Sequence, residues 1–196
     1  MPGKLALAAA GAVAVAVPLL TATPAFSHGY TTSPPSRSYR CAQQQVANCG
    51  SIQYEPQSVE GPKGFPQAGP ADGRICSANH TEFAQLDDPR NGTWPAASMT
   101  SGASYAFTWT FTAIHATASF RYFITKTSYD PTKPLTRAAL ESTPFLTVDY
   151  NGSRPPNPVT HRGTLPARHG RQLILAVWDI SDTTNAFYSC SDVVFP

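Results

Sequence analysis

Charged residues are scarce in this sequence. Asp, Glu, Lys and Arg make up 13% of the 196 residues, and the formal net charge is +2. The chain has neither a cluster of Lys and Arg, as nucleic-acid-binding proteins have, nor an acidic run of the kind found in charged tails. We therefore expect a polar rather than a charged surface and no nucleic acid partner.

Long apolar runs are equally rare. The segment from Leu5 to Leu20 is almost continuously apolar, and no later segment is long enough to cross a membrane. Lys4 precedes this run, and Ala25-Phe26-Ser27 places small residues at the two positions that a signal peptidase inspects. This arrangement is typical of a secretory signal peptide. A membrane anchor is the weaker alternative, because the run is short for a membrane span and no basic stop-transfer cluster follows it.

Cleavage after Ser27 would divide the chain into a signal peptide, residues 1–27, and a mature part, residues 28–196. The mature part has the length of one domain. We therefore expect a secreted, extracellular protein that acts as a monomer and has no membrane association.

Cysteine is present but sparse, and no CxxC motif occurs. A zinc site built on cysteine is therefore disfavoured, since such sites use closely spaced cysteine pairs. All four cysteines lie after residue 27, and an even number in an exported protein predicts two disulfides. We expect Cys41–Cys49, which closes a local loop, and Cys76–Cys190, which joins an early segment to the C-terminal region. The other two pairings remain open from sequence alone.

The chain lacks internal repeats and low-complexity linkers, and its mature part divides into two textures. Residues 29–98 are rich in Pro, Gly, Gln and Asn, which predicts a long loop region with short helical turns near Arg40–Val46 and His80–Leu86. Loop regions of this length are commonly functional surfaces.

From residue 104 onward the pattern is one of strands and turns. The segment 104–112 alternates in polarity, with Tyr105, Phe107, Trp109 and Phe111 on one face. Short strands without a long amphipathic helix predict an all-β fold, an antiparallel β-sandwich of immunoglobulin or fibronectin III type, with the long loop and short-helix region inserted after the first strand. The further predicted strands are Ser119–Thr125, Phe145–Tyr150, Gly163–Leu165, Leu173–Asp179 and Ser191–Phe195.

Five histidines are candidates for chemistry, and His28 differs from the others. After cleavage it is the first residue, so its α-amine and its imidazole can chelate one metal ion. Nitrogen ligands in a flat arrangement suit Cu(II) among the divalent first-row metals. The amine must be neutral to bind, and its ordinary pKa of about 8 makes loss of its proton easy at neutral pH.

His115 is the best candidate for a second imidazole ligand. It lies in a break between two predicted strands and hence at one end of the sandwich, and the small side chain of Ala113 would leave a metal there accessible. A solvent-exposed turn residue is the alternative interpretation. The remaining histidines are interpreted as a turn support, His161, and as surface residues, His80 and His169.

Two further stretches combine aromatic and polar residues. In residues 51–66, Tyr54 stands among short hydrogen-bonding side chains. An exposed aromatic ring in such a setting can stack on a sugar while its neighbours bond the hydroxyls, although a generic polar loop is the alternative. In residues 176–188, core packing explains Trp178 well and Phe187 only partly.

These stretches, taken together and in this order, resemble the bacterial lytic polysaccharide monooxygenases of auxiliary activity family 10, formerly called chitin-binding proteins. The likeness covers essentially the whole chain after residue 27, and the loop around Tyr54 looks like that of the chitin-active members. The motifs that carry the resemblance are His28-Gly-Tyr, Pro34-Pro-Ser-Arg, Gln53-Tyr-Glu-Pro-Gln-Ser-Val-Glu-Gly, Gly64-Phe-Pro-Gln-Ala-Gly-Pro-Ala-Asp-Gly, Phe120-Arg-Tyr-Phe-Ile-Thr-Lys and Trp178-Asp-Ile-Ser-Asp-Thr-Thr-Asn-Ala-Phe-Tyr.

Matched residue by residue, the resemblance implies a copper site. His28 and His115 correspond to the histidine brace that holds one copper ion. Phe187 corresponds to the apolar residue on the axial side of the copper, and Ala113 to the small residue on the opposite side. Glu60 corresponds to the carboxylate that reaches toward the oxygen species at the copper. The residues that match the polysaccharide-binding surface are Tyr54, Glu55, Thr112, Asp182 and Asn185.

The chemistry that the resemblance implies is oxidative. An external electron donor, either a small molecule or a protein, reduces the copper, and H2O2 or O2 is the co-substrate. Insoluble, crystalline chitin is oxidised at C1, which breaks the glycosidic bond and leaves an aldonic acid end. A brace of this kind leaves coordination positions open, as a catalytic metal site requires.

Three other functions fit parts of the sequence. A non-catalytic secreted chitin-binding protein would use the same surface but needs no copper. A secreted copper carrier tends to be shorter and rich in methionine, whereas Met99 is the only methionine after residue 27. A chitin hydrolase needs two carboxylates that flank the scissile bond, and no DxxDxDxE-like cluster occurs.

Overall fold

The computed structural model describes residues 28–196, which form nine β-strands. The predicted signal peptide, residues 1–27, lies outside the described residues. Among residues 28–196, none of the helices is long and apolar enough to span a membrane. The strands are β1 (His28–Ser33), β2 (Glu60–Pro62), β3 (Ala97–Ser98), β4 (Ser104–Ala113), β5 (Thr117–Ile124), β6 (Leu146–Asp149), β7 (Val159–Thr164), β8 (Gly170–Ile180) and β9 (Asn185–Phe195).

The strands form two sheets. One sheet has the order β1-β4-β7, and the other has the order β2-β9-β8-β5-β6. Strand β3 runs parallel to β9, and the other neighbouring strands are antiparallel. This arrangement confirms the predicted antiparallel β-sandwich of immunoglobulin type, with the long region between β1 and β4 as its insertion.

Aromatic side chains fill the core of the sandwich. The predicted alternation in β4 is confirmed, because Phe107, Trp109 and Phe111 are all buried. The ring centroid of Phe111 lies 4.6 Å from that of Trp178 on β8, and Phe120 on β5 stacks on Trp178 at 6.0 Å. Aromatic side chains bury roughly 150–250 Å² each. This cluster is therefore a large part of the hydrophobic stabilisation.

The region between β1 and β4 covers the outer face of the larger sheet. Strands β8 and β9 are buried along nearly their whole length, and a second core forms where Ile52, Phe65 and Trp94 of this region join Leu175 of β8. Burial on both faces explains why the sequence of β8 is almost continuously apolar instead of alternating.

The helices of this region begin and end at other residues than predicted. Helix α1 spans Arg37–Ala42 instead of Arg40–Val46, because the hydroxyl of Ser36 accepts a hydrogen bond of 3.2 Å from the Tyr39 amide and caps the first turn. The turn predicted at His80–Leu86 is confined to a 3-10 helix at its C-terminal end. The 3-10 helices of this region are Gly50–Tyr54, Ala84–Leu86 and Arg90–Gly92, and a further one, Arg137–Ala139, lies between β5 and β6.

Both expected disulfides are present. Cys41 and Cys49 have a Cα–Cα distance of 5.8 Å, and Cys76 and Cys190 one of 5.5 Å. The two cysteines of the second disulfide are 114 residues apart in the sequence, and their bond ties the insertion to β9. On chain-entropy reasoning, closing a loop of that length contributes about 4–5 kcal/mol to the free energy of unfolding.

His161 does not support a turn, and its interpretation from the sequence is wrong. Strand β7 begins at Val159, earlier than the predicted strand Gly163–Leu165, and places His161 in the core with 5% of its surface exposed. The hydroxyl of Tyr122 lies 2.7 Å from Nδ1 of His161, and that of Tyr150 lies 3.3 Å from Nε2. Because burial penalises the charged form, the pKa of His161 is lowered to about 4.

Candidate metal centre and its surrounding surface

Strand pairing brings His28 beside Ala113 at one end of the smaller sheet. His28 on β1 is the register partner of Ala113 on β4, and the amide of Gly29 donates a hydrogen bond of 3.1 Å to the carbonyl of Gln57. A Cβ atom on Gly29 would lie 2.6 Å from the ring of Phe111. Only glycine therefore lets the start of β1 lie this close to the aromatic core.

His115 lies in the turn that joins β4 to β5, two residues after Ala113. It is 7% exposed, so the alternative interpretation as a solvent-exposed turn residue is wrong. Its Nδ1 is 3.4 Å from Oδ1 of Asp182, and its backbone carbonyl accepts a hydrogen bond of 3.0 Å from the hydroxyl of Thr117. The Thr117 hydroxyl thus restrains the turn, and the Asp182 carboxylate lies beside Nδ1 of the imidazole.

Phe187 provides an apolar wall for the same end of the sandwich. It lies on β9, is 1% exposed, and has its ring centroid 6.5 Å from that of His28 and 5.0 Å from that of Trp178. Core packing thus accounts for one side of the ring, and His28 lies on another. The ring joins the metal-ligand candidate to the aromatic core.

Glu60 lies on β2, next to the strand that carries Phe187. It is the register partner of Phe187 in the ladder between β2 and β9. Its Oε1 accepts a hydrogen bond of 2.9 Å from Nδ2 of Asn185. The carboxylate is therefore tethered through Oε1 by a neutral donor.

Lys63, which the sequence analysis missed, holds the loop between β8 and β9. Its amide donates to the carbonyl of Thr184 at 3.0 Å, and its ammonium donates to the carbonyls of Thr183, at 2.6 Å, and Ile180. This loop carries Asp182, so Lys63 orders the residue that contacts His115. The one feature of the sequence that could have drawn attention to Lys63 is its charge, which stands alone in a segment of Pro and Gly.

Tyr54 lies at the end of a 3-10 helix and is 82% exposed, the one large exposed hydrophobic side chain among residues 28–196. Cys49, directly before this helix, ties it to α1 through the first disulfide. Glu55 follows as a half-buried residue, and Thr112 is exposed on β4 beside Ala113. The hydrogen bond from Gly29 to Gln57 connects the Tyr54 loop to the start of β1.

His80 does not behave as a simple surface residue, contrary to the expectation. Its side chain is 34% exposed, and its Nε2 lies 2.6 Å from the carbonyl oxygen of Glu60. The expectation for His169 is confirmed, because that residue is exposed. An open pocket of about 200 Å³ lies beside Glu60, and its lining residues are Glu60, Gly61, Pro62, Ala78, Asn79, His80 and Asn185.

The donor set at this end of the sandwich fits copper. Strand register sets His28 opposite Ala113, two residues before His115, and the ring of His28 lies beside that of Phe187, whose register partner on β2 is Glu60. Imidazole nitrogen is a preferred ligand of copper, and an adjoining aromatic ring limits access from one side. Within the described part of the chain, no group of three or more His, Cys, Asp or Glu side chains is arranged to hold a metal ion.

Comparisons with known proteins show the family to which the chain belongs. Residues 28–193 match the family model described as lytic polysaccharide mono-oxygenase, cellulose-degrading. A solved structure of an auxiliary activity family 10 lytic polysaccharide monooxygenase from Streptomyces lividans is 54% identical, with a TM-score of 0.84 over 86% of this chain and 100% of that chain.

Two curated relatives are similar over most of this chain. The family 10 lytic polysaccharide monooxygenase C of Mycosarcoma maydis is 50% identical over 173 residues, 86% of this chain and 52% of that protein. The GlcNAc-binding protein A of Shewanella oneidensis (strain MR-1) is 46% identical over 177 residues, 90% of this chain and 37% of that protein. The chain thus spans about half or less of the length of these relatives. It belongs to auxiliary activity family 10 of the lytic polysaccharide monooxygenases, a family of copper oxidoreductases.

Proposed function

We propose that this protein is a secreted, copper-dependent lytic monooxygenase that acts on chitin. In this proposal residues 1–27 are removed on export, and residues 28–196 form the single catalytic domain. The observation that carries the proposal is the register of β1 against β4, which sets His28 opposite Ala113 and so beside the turn that bears His115. The start of the family match at residue 28 supports the cleavage.

The metal would be one copper ion, held by the α-amine and imidazole of His28 and by the imidazole of His115. Because Nδ1 of His115 faces Asp182, its Nε2 would be the ligand nitrogen. When bound, copper supplies one-electron chemistry, cycling between Cu(II) and Cu(I) with an external small-molecule or protein donor and with H2O2 or O2 as co-substrate.

The surrounding side chains have separate roles in this proposal. Phe187 excludes water and ligands from one side of the site, and Ala113 keeps the opposite side open. Asp182 holds the orientation of the His115 ring. Glu60, tethered through one oxygen by Asn185, uses its other oxygen to orient the co-substrate and to hold or move a proton.

The substrate surface would be the exposed face around the site. Tyr54 offers an aromatic face of the kind that stacks on sugar rings, and the neighbouring polar groups offer hydrogen bonds to hydroxyl and acetamido groups. An open surface suits an insoluble polymer, because a chain packed in a crystal cannot enter a deep cleft. The other proposed contacts are Glu55, Thr112, Asp182 and Asn185.

Chitin is the proposed polymer although the family description names cellulose. Relatives named for GlcNAc binding and the wording of the Tyr54 loop support this choice. Oxidation is proposed at C1, which gives aldonic acid ends. No partner chain is needed to complete the ligand set, and we propose a monomer that works on the chitin surface with its electron donor.

The test is to incubate copper-loaded protein comprising residues 28–196 with β-chitin and ascorbate, with cellulose in parallel. Mass spectrometry should detect C1-oxidised chitin oligosaccharides, and His115→Ala should abolish them. A matched control is His169→Ala, which alters an exposed histidine away from the site. Intact chitin binding without oxidised products would instead favour the second candidate, a non-catalytic chitin-binding protein.

A further inference from the structure

Strand β2, which carries Glu60, is an edge strand, and no other strand within residues 28–196 pairs with its outer side. It comprises three residues and pairs on one side only, with β9. The outer backbone groups of an edge strand have no ladder partner and need another one. At Glu60 the carbonyl oxygen has such a partner, the Nε2 atom of His80 at 2.6 Å.

The segment that presents His80 is held firmly against β2. A Cβ atom on Gly61 would lie 2.8 Å from the carbonyl oxygen of Ala78, so the two backbones are in close contact. The disulfide of Cys76 fastens the segment to β9. Oδ1 of Asp87 accepts hydrogen bonds from the amides of Cys76, at 2.9 Å, and Ser77, at 3.1 Å.

The contacts of the His80 ring also define where its protons lie. A carbonyl oxygen only accepts, so Nε2 must carry a proton. Nδ1 lies 3.0 Å from Oε1 of Glu82, and the ring packs on Phe83 with centroids 5.0 Å apart. Hydrogen bonds from its own backbone amide and then from His80 lower the pKa of the Glu82 carboxyl. The Glu82 carboxylate only accepts, so Nδ1 donates a hydrogen bond to it when that nitrogen also carries a proton.

We propose that His80 is a positioning residue for Glu60. By donating from Nε2 to the Glu60 carbonyl, it takes the place of the missing strand on the outer side of β2. With Glu82 behind it, the ring fixes the backbone from which the Glu60 carboxylate extends toward the site. The catalytic consequence rests on the proposed function, whereas the hydrogen bond itself does not.

The hydrogen bond can be tested without copper and without substrate. In metal-free protein labelled with 13C and 15N, long-range 1H–15N correlation spectra report which ring nitrogen of His80 is protonated. We expect a protonated Nε2 and a through-bond coupling between this nitrogen and the carbonyl carbon of Glu60. A ring protonated only at Nδ1 would overturn the proposal, whatever the activity of the enzyme.

The positioning role can be tested with paired variants. His80→Phe keeps the aromatic contact with Phe83 but removes the donor, and His80→Gln keeps a side-chain N–H near the position of Nε2. A misplaced catalytic group costs about 10- to 100-fold in rate. We therefore expect His80→Phe to lower turnover on chitin by about 10-fold or more and His80→Gln to restore most of it, with chitin binding and copper affinity unchanged in both.

The control is His169→Phe, which should keep wild-type turnover. Full turnover in His80→Phe, or equal losses in the Phe and Gln variants, would refute the positioning role. A parallel loss of chitin binding would also refute it, since a positioning residue for Glu60 should leave binding intact. If the wild-type protein itself releases no oxidised products, the proposed function fails, and the metal-free spectra still decide on the hydrogen bond.

Discussion

The stability of the protein should fall steeply on mild acidification because of one core histidine. His161 is 5% exposed, and its pKa is lowered to about 4 from an ordinary value of 6.5. In the unfolded chain the imidazole takes up a proton below about pH 6.5, whereas the folded protein resists this until about pH 4. Stability is therefore fully present above pH 6.5 and is lost progressively as the pH falls toward 4.

The size of the effect follows from the gap between the two pKa values. At about 1.4 kcal/mol per pH unit, the gap corresponds to a loss of about 3 kcal/mol in the free energy of unfolding. Urea unfolding at several pH values between 7.5 and 4 measures it, with His161→Phe as the comparison. The variant loses a constant amount of stability because Tyr122 loses its hydrogen-bond acceptor. Between pH 7.5 and 4, however, its free energy of unfolding should fall by about 3 kcal/mol less than that of the wild type.

Carboxylates that titrate near pH 4 affect the wild type and the variant equally, so the difference between the two curves isolates His161. Parallel curves for wild type and His161→Phe would refute the reasoning. They would mean that the imidazole is protonated in the folded core or that the site opens before unfolding.

Three further perturbations test other parts of the structure. Gly29→Ala should lower the free energy of unfolding by about 1–3 kcal/mol in chemical denaturation, because the added Cβ overlaps the ring of Phe111; an unchanged midpoint would contradict the close packing. Tyr54→Ala should weaken chitin binding in a pull-down isotherm by about 2- to 10-fold with no change in stability; wild-type binding would remove Tyr54 from the surface. Replacing Cys76 and Cys190 with Ala should cost about 4–5 kcal/mol of stability, more than loss of the shorter disulfide, and equal losses would oppose the chain-entropy account.

The regular parts of the sandwich could be predicted from the sequence because their signals are local. Alternation in residues 104–112 reflects one buried face, and it predicted β4 to within one residue. The two disulfides also agree with the expected pairs. The strand depends on a pattern within a few residues, and the disulfides depend on a choice among a small number of cysteine pairings.

The errors arose where the structure depends on distant partners. His161 looks like a turn residue beside Gly163, and only Tyr122 and Tyr150 make it a core residue. Strands β2 and β3 are too short for a periodic pattern and form because β9 offers them a ladder. Nothing in the sequence places His80 against Glu60, because the contact requires the fold of the intervening loop.

The candidate site was assembled from residues that lie far apart in the chain. His28 and His115 were proposed from their positions in the sequence, and the resemblance added the role of Phe187. In the structure, strand register sets His28 opposite Ala113, and ring contact sets it beside Phe187. Lys63 had no such guide, since its role is to bind backbone carbonyls of the loop before β9. Interactions with backbone atoms leave little trace in residue type, which explains why sequence analysis missed them.

The most direct test of the account is copper binding by protein that begins at His28, compared with protein that retains Ser27. Isothermal titration and electron paramagnetic resonance would measure the affinity, the stoichiometry and the nitrogen coordination. We expect one Cu(II) per chain in the cleaved protein. Retention of Ser27 should weaken binding by about 100-fold or more, since losing a ligand costs at least as much as losing its supporting partner. Equal affinity and equal spectra for the two proteins would contradict the role of the His28 amine.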